Sequence, residues 1–378
     1  MTKDNTKQHE LHAGMADQVW SVRMADSAIK RNRVVSDRWH YEAGVILSGI
    51  RQVWLKTSQS QYYDYIKASL DELVDHEGTI RTYRLEEYNL DQINEGKLLF
   101  FLYDQSGDER YIKAARLLRE QLRTQPRTSQ GGFWHKQIYP HQMWLDGIYM
   151  ACPFYAEFAR RFDEPRSFDD IALQISLIEK HTREPKSGLL YHAWDSSKSQ
   201  AWADPKTGRS PHFWGRAMGW YAMAIPDVLD HFPQDHPERG KLISIFQRLA
   251  AAITAVQDES SGVWYQILDQ AGRDGNYLEA SVSCMFVYAL AKGVRCGYLD
   301  RKYLDVARRG YKGILEQFVR VDEAGLVNLE RICSVGGLGG QPYRDGSFEY
   351  YISEKIMAND YKGVGAFVLA SIEVEMSQ

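Results

Sequence analysis

Between residues 135 and 220 the chain gathers side chains that a buried core has little use for. They are His135 and Lys136, Trp144 and Asp146 in WLDG, His192 in YHAWD, and Trp214, Arg216 and Trp220 in WGRAMGW. Carboxylate, imidazole, guanidinium and indole recur beside glycine. Flat aromatic surface suits the apolar face of a sugar ring, while hydroxyls and a carboxylate need fixed donors and bidentate arginine. The set points to a cleft for a small carbohydrate.

Asp146 follows Trp144 at the start of an expected inner helix. A carboxylic acid kept protonated near neutral pH can give up a proton and, once ionised, take one back. Asp91, in NLDQINEGK, can bring a second carboxylate to the same cavity, where it would disfavour ionisation of the first. For both aspartates the competing role is that of a helix N-cap. His135 and His192 lie in the aromatic loops FWHKQIYP and LLYHAWD, where neutral imidazole can donate to a hydroxyl or orient water. They show no HExxH or similar spacing, so no metal and no cofactor is expected.

Arg216, bracketed by Trp214 and Trp220, can reach a substrate carboxylate or stand as a structural arginine on a tryptophan shelf. Trp39, His40 and Tyr41, at the head of the first inner helix, add either a further wall or core aromatics. VGGLGG at 335–340, which contains Gly336 and Gly337, follows no expected strand and lacks GK[ST], which disfavours a nucleotide loop. Its glycines permit close backbone approach to a ligand, and YRDGSFEYYISE behind it can form a rim or lid.

These groups need a scaffold, and the periodic segments supply helices. In DERYIKAARLLREQL, Asp108 is placed to cap, and Ile112, Ala115, Leu118 and Leu122 recur three or four apart. Similar charged, amphipathic helices are expected at about 15–30, 60–74, 166–182, 238–256 and 301–319, with Ser167 and Asp170 at capping-box spacing. Between them fall segments richer in Gly, Ala and aromatics, at about 41–55, 91–104, 144–161, 214–230, 279–296 and 360–374. Six outer and six inner helices in alternation predict an all-α ring of six hairpins. Pro153 and Pro226 should kink their inner helices or mark a late start. Long loops at about 183–212, 257–278 and 320–358 are expected to carry function, and GVWYQIL at 262–268 to form a short rim hairpin.

Composition narrows the partners. A formal charge of −4 without long runs of one sign disfavours nucleic acid. Cys152, Cys284, Cys296 and Cys333 lack CxxC spacing and read as structural thiols. MTKDNTKQHELHAG has no apolar stretch of the kind a signal peptide needs, and no window reaches about 18 apolar residues. A cytoplasmic protein without a membrane partner is therefore expected, as a monomer in preference to an oligomer.

Six blocks taken together carry a resemblance: WHYEAG at 39–44, LDQINEGK at 90–97, HKQIYP at 135–140, WLDGIYMACPFYAEFA at 144–159, HFWGRAMGW at 212–220 and RDGSFEYYISEKIMANDYKGVGAFVLA at 344–370. In order and spacing they resemble the unsaturated rhamnogalacturonyl hydrolases of glycoside hydrolase family 105, kin of the unsaturated glucuronyl hydrolases. The resemblance implies an (α/α)6 barrel, here one catalytic domain over 1–378. It also implies an enzyme that hydrates the C4=C5 double bond of a terminal unsaturated galacturonate on pectin-derived oligosaccharides. Asp146 would then protonate C4 and, as carboxylate, take a proton from water adding at C5; the hemiketal opens and frees the neighbouring sugar. Asp91 would assist, while His135, Lys136, Trp144, His192, Trp214, Arg216 and Trp220 hold the uronate, with Trp39, His40, Tyr41, Gly336 and Gly337 at the edges.

Rival readings remain distinct in chemistry. An inverting glycosidase would use Asp91 and Asp146 as base and acid about 6.5–9.5 Å apart on a saturated substrate. A sugar epimerase or isomerase would use His135 and His192 as paired bases. A non-catalytic helical-repeat scaffold would recur at about 33–47 residues in similar units, whereas the inner segments here recur at uneven, longer intervals.

Overall fold

Wherever apolar residues recur every three or four positions the chain is helical, and the helices sort into two layers. The computed structural model describes residues 19–377. The outer layer holds α1 (Trp20–Arg31), α3 (Ser60–Asp71), α5 (Glu109–Thr124), α7 (Ser167–Thr182), α9 (Arg239–Ala255) and α11 (Lys302–Gln317). The inner layer holds α2 (Tyr41–Thr57), α4 (Gly96–Ser106), α6 (Leu145–Arg161), α8 (Gly215–Leu229), α10 (Ala280–Arg295) and α13 (Tyr361–Met376). Each inner helix packs on the next and α13 returns to α2, so the ring closes as an (α/α)6 barrel. A six-residue helix, α12 (Phe348–Ser353), interrupts the last long loop. None of the described helices is long and apolar enough to cross a membrane.

The two ends of the described chain are sewn together at the seam. Ser21 donates from its backbone N and its Oγ to Glu375 at 3.1 and 2.7 Å, and Lys56 pairs with the same carboxylate at 2.6 Å. The expected polar leader and the start of the first helix near residue 15 lie outside the described residues.

Several local expectations are met and others corrected. Asp108 caps α5 by accepting from Arg110 N at 3.0 Å. Ser167 and Asp170 form no capping box: Ser167 donates to Glu164, and Arg127 holds Asp170 at 2.7 Å, so tertiary ion pairing outcompetes the local cap. The inner helix expected from 91 starts at Gly96, because Leu90–Ile93 winds as a 3-10 turn in which the Asn89 side chain accepts from Asp91 N. Pro153 and Pro226 both sit inside continuous helices, so neither marks a late start. The 262–268 hairpin is absent. Tyr265 and Ile267 make only isolated bridges, to Leu278 and Trp214.

Strands occur instead as three antiparallel pairs: β1 (Gln142–Trp144) with β2 (Ala193–Asp195), β3 (Val319–Val321) with β4 (Val327–Leu329), and β5 (Ile332–Cys333) with β6 (Ile356–Met357). The first pair sets Trp144 opposite Ala193, directly before α6 and directly after His192.

Ring closure depends on close contact between α2 and α13. A Cβ on Gly365 would lie 2.7 Å from the backbone C and O of Val45. Neither backbone can yield without parting the two helices. Gly365→Ala should therefore destabilise the fold by about 1–3 kcal/mol, the usual cost of overpacking; an unchanged urea midpoint would show that the seam is looser than this contact implies.

Candidate active site

All six inner helices run the same way, so their N-terminal ends surround one mouth of the ring, where the orphan N–H groups and helix dipoles favour negative charge. A cavity of about 170 Å³ opens there. Its walls include His40, Tyr41 and Glu42 from the head of α2, Asp91, His135, Lys136, Tyr139, Trp144, Asp146, Gly336 and Arg344. Three separate loops are thus brought together, and short backbone bonds fix them. Leu90 N donates to His135 O at 3.1 Å, His135 N to Gln142 O at 2.9 Å, and Leu145 N to His192 O at 3.0 Å.

Asp146 occupies the first turn of α6, and its side chain caps nothing. It is 8% exposed, which leaves it open to a ligand but not to bulk water. Its Oδ2 lies 3.1 Å from Nε2 of His192. The approach is short but off the line of a hydrogen bond, and neither atom has another partner among the described residues. Nδ1 of the same imidazole meets the Tyr351 hydroxyl at 2.8 Å, with both residues fully buried. Which ring nitrogen carries the proton is therefore set by Tyr351 on one side and Asp146 on the other.

Asp91 has a different surrounding. Lys136 Nζ lies 2.6 Å away and His135 Nε2 3.4 Å. Burial by itself would raise the Asp91 pKa, but Lys136 first and His135 next pull it down to about 2. Asp91 is thus a fixed anion. His135 is pushed down to about 4, chiefly by burial and against the pull of Asp91, so its ring is neutral near pH 7.

The aromatic wall is a stack. His135 lies 4.6 Å from Trp144 at 12°, and Trp144 lies 4.8 Å from Tyr139 at 19°. Trp144 Nε1 donates to Gln142, so the indole's polar edge is satisfied within the wall. His135 is pressed close behind α6: a Cβ on Gly147 would come within 3.1 Å of its Nδ1.

Other expected residues stand behind the wall. Trp39 is buried and donates from Nε1 to Gln92 O at 2.6 Å, so it braces the Asp91 turn instead of lining the cleft. Trp220 stacks on Tyr149 at 4.9 Å and meets Tyr41 edge-on at 6.1 Å, beneath the floor. Trp214 is covered by the glycine loop: a Cβ at Gly336 would collide with its indole, and His192 packs 4.8 Å from it. Gly337 lies against Arg344, with its N–H donating to Tyr350. Arg216 was expected to face a substrate carboxylate. It is 1% exposed, pairs with Glu279 at 3.4 Å, and donates to Ser281 and to the Cys333 carbonyl. Its charge is balanced inside the protein, which is the structural role weighed against the substrate role.

Arg344 is the cation the residue-by-residue reading missed. It lines the cavity, donates to Tyr139 Oη at 2.8 Å and to Gly339 O at 3.0 Å, and has no carboxylate within ion-pair range among the described residues. Its signal in the sequence was its place in the rim segment behind the glycine loop. Glu42 was also missed. Lys362 holds it at 2.5 Å across the α2–α13 seam.

The chain matches the profile of Glycosyl Hydrolase Family 88 over residues 20–378. A solved structure of a family 105 glycoside hydrolase from C. acetobutylicum is 50% identical, covers 95% of this chain and 100% of its own, and superposes with a TM-score of 0.93. An unsaturated rhamnogalacturonyl hydrolase of Bacillus subtilis, YesR, is 28% identical over 302 residues, spanning 78% of this chain and 82% of that protein. The unsaturated glucuronyl hydrolase of Bacillus sp. GL1 is 13% identical, with a TM-score of 0.69 over 94% of this chain and 95% of its own, a likeness of fold.

The depressed His135 pKa makes stability depend on pH in one direction. Its folded value, about 4, lies below the ordinary 6.5, so as pH falls the unfolded chain takes the proton first. Stability from this group is complete above about pH 6.5 and declines until about pH 4. Urea midpoints at pH 7 and pH 5 should therefore differ more in the wild type than in His135→Gln. Equal pH slopes would mean that His135 titrates normally in the folded protein.

Proposed function

This chain belongs to Glycosyl Hydrolase Family 88, and from that premise we propose that it removes an unsaturated galacturonate from the non-reducing end of rhamnogalacturonan fragments. The reaction is hydration of the C4=C5 double bond. The observation that carries the proposal is the placement of Asp146 at the mouth of the ring, 3.1 Å from a buried imidazole and beside an aromatic stack, while the second carboxylate is already tied to a lysine.

In this reading Asp146 delivers its proton to C4 of the enol ether, and positive charge develops at C5, stabilised by the ring oxygen. The carboxylate thus formed accepts a proton from water as the water oxygen bonds to C5. Asp146 is restored, and the C5 hemiketal opens to release the neighbouring sugar. His192, with Nε2 3.1 Å from the Asp146 carboxyl, positions that group, and the Tyr351 hydroxyl fixes the imidazole from its other nitrogen. Asp91 stays ionised throughout and accepts from a sugar hydroxyl while orienting Lys136. Arg344 and Lys136 meet the uronate carboxylate, and the Trp144 face supports the ring. The whole chain, 1–378, acts as one catalytic domain, monomeric and cytoplasmic.

An unsaturated galacturonyl-rhamnose disaccharide should lose the absorbance of its conjugated enol acid on incubation with the wild type, without added metal. Asp146→Asn should slow this by about a hundred- to ten-thousand-fold. Activity on the saturated disaccharide would instead favour an inverting glycosidase, and full activity of the asparagine variant would remove Asp146 from the role of acid. Tyr351→Phe, which deletes one neutral hydrogen bond to His192, should lower kcat about three- to tenfold and displace the pH profile while leaving KM near its original value. An unaltered pH profile would assign Tyr351 to packing alone.

A further inference from the structure

The opposite end of the ring holds a second, larger cavity of about 220 Å³. It reaches from the mid-barrel, at Lys97 and Tyr149, towards the C-terminal halves of α6, α8 and α10. Carboxylates and cations both line it, and the way they pair leaves a remainder.

All three carboxylates are engaged. Lys292 holds Asp227 at 2.7 Å and Asp230 at 2.6 Å, the Tyr288 hydroxyl donates to Asp227 at 2.6 Å, and Arg161 holds Glu157 at 2.9 Å. Two cations are not. Lys97 is only 8% exposed, makes no ion pair or hydrogen bond among the described residues, and rests 4.3 Å above the Tyr149 ring. Burial, the largest effect, holds its pKa down to about 8, with Arg51 and Lys292 lowering it further and Asp227 and Glu157 opposing. Arg51, on the cavity wall, has a buried Nε with no partner among the described residues, and its guanidinium lies 5.5 Å from the Phe101 ring. Arg51 and Gln52 line the cavity from α2, while the Ser48 hydroxyl beside them donates to Gly44 O at 2.6 Å.

A buried ammonium and a buried guanidinium nitrogen without acceptors are costly, and such groups normally find a partner. The catalytic cavity does not supply it, since the two cavities have no lining residue in common. We propose that this distal cavity binds a small oxyanion, a carboxylate or phosphate group, between Lys97 and Arg51. The anion would take one charge-assisted bond from Nζ and a further pair from the guanidinium.

Isothermal titration of the full chain with inorganic phosphate and, separately, with free galacturonate tests this and reads no hydrolysis, so its outcome is independent of the activity proposed above. At least one of the two should bind the wild type with Kd below about 10 mM, and Lys97→Met should weaken it about tenfold or more. Phosphate binding alone identifies a phosphate source, and galacturonate binding alone a sugar acid. If circular dichroism shows that Lys97→Met has not folded, Arg51→Gln, which is less buried, takes its place with the same expectation. No heat from either anion up to about 10 mM, or equal affinity in the wild type and the folded variant, overturns the proposal.

Discussion

Closure of the inner ring is the constraint on which everything else in this molecule rests. Six helices that run in one direction and meet side by side must present all their N-termini at a single mouth, and every loop entering them must arrive there as well. The loops bearing Asp91, His135 and Arg344 are far apart in the chain, yet they converge because each precedes an inner helix or folds over its start. The contact of Gly365 with the Val45 backbone shows how little slack the closure has.

At that mouth the two aspartates are set apart by their neighbours. Asp91 sits against an ammonium and is held as an anion at about 2, whereas Asp146 faces a single imidazole edge and an aromatic wall. One carboxylate is tied to a lysine, and the other has no cation within ion-pair range among the described residues except the His192 ring. Three tryptophans serve behind the cavity: Trp39 holds the Asp91 turn, Trp220 lies under Tyr41, and Trp214 lies under the glycine loop. Their role is to make the surface residues immobile, which is what positional chemistry requires.

Much of the fold was legible because the helical period survives in a barrel of amphipathic outer helices. Asp108, Ile112, Ala115, Leu118 and Leu122 announced α5 and its cap, and the inner segments declared themselves through small and aromatic residues instead of a charged face. The capping box at Ser167 failed for the same reason that the substrate role of Arg216 did. In both places a residue distant in sequence supplied a better partner, Arg127 for Asp170 and Glu279 for Arg216. The 262–268 segment has strand-like residues, but its pairing with Leu278 and Trp214 stops at isolated bridges. Arg344 escaped notice because its segment read as a rim or lid, not as part of the cleft; only the folding back of its loop brings it beside Tyr139.

By itself the sequence determined most of the helical segments, which of them are inner, and which side chains suit a small-carbohydrate cleft, since these follow from local period and residue type; the kind of reaction came from the resemblance its motif blocks carry. The tertiary structure alone decided which of those side chains reach the cavity, which are matched by a buried counter-charge, and that Asp146 faces His192 while Asp91 faces Lys136. The reason is physical: charge state and access depend on distances of a few ångströms between residues tens to hundreds of positions apart, and no periodicity along a chain encodes such distances.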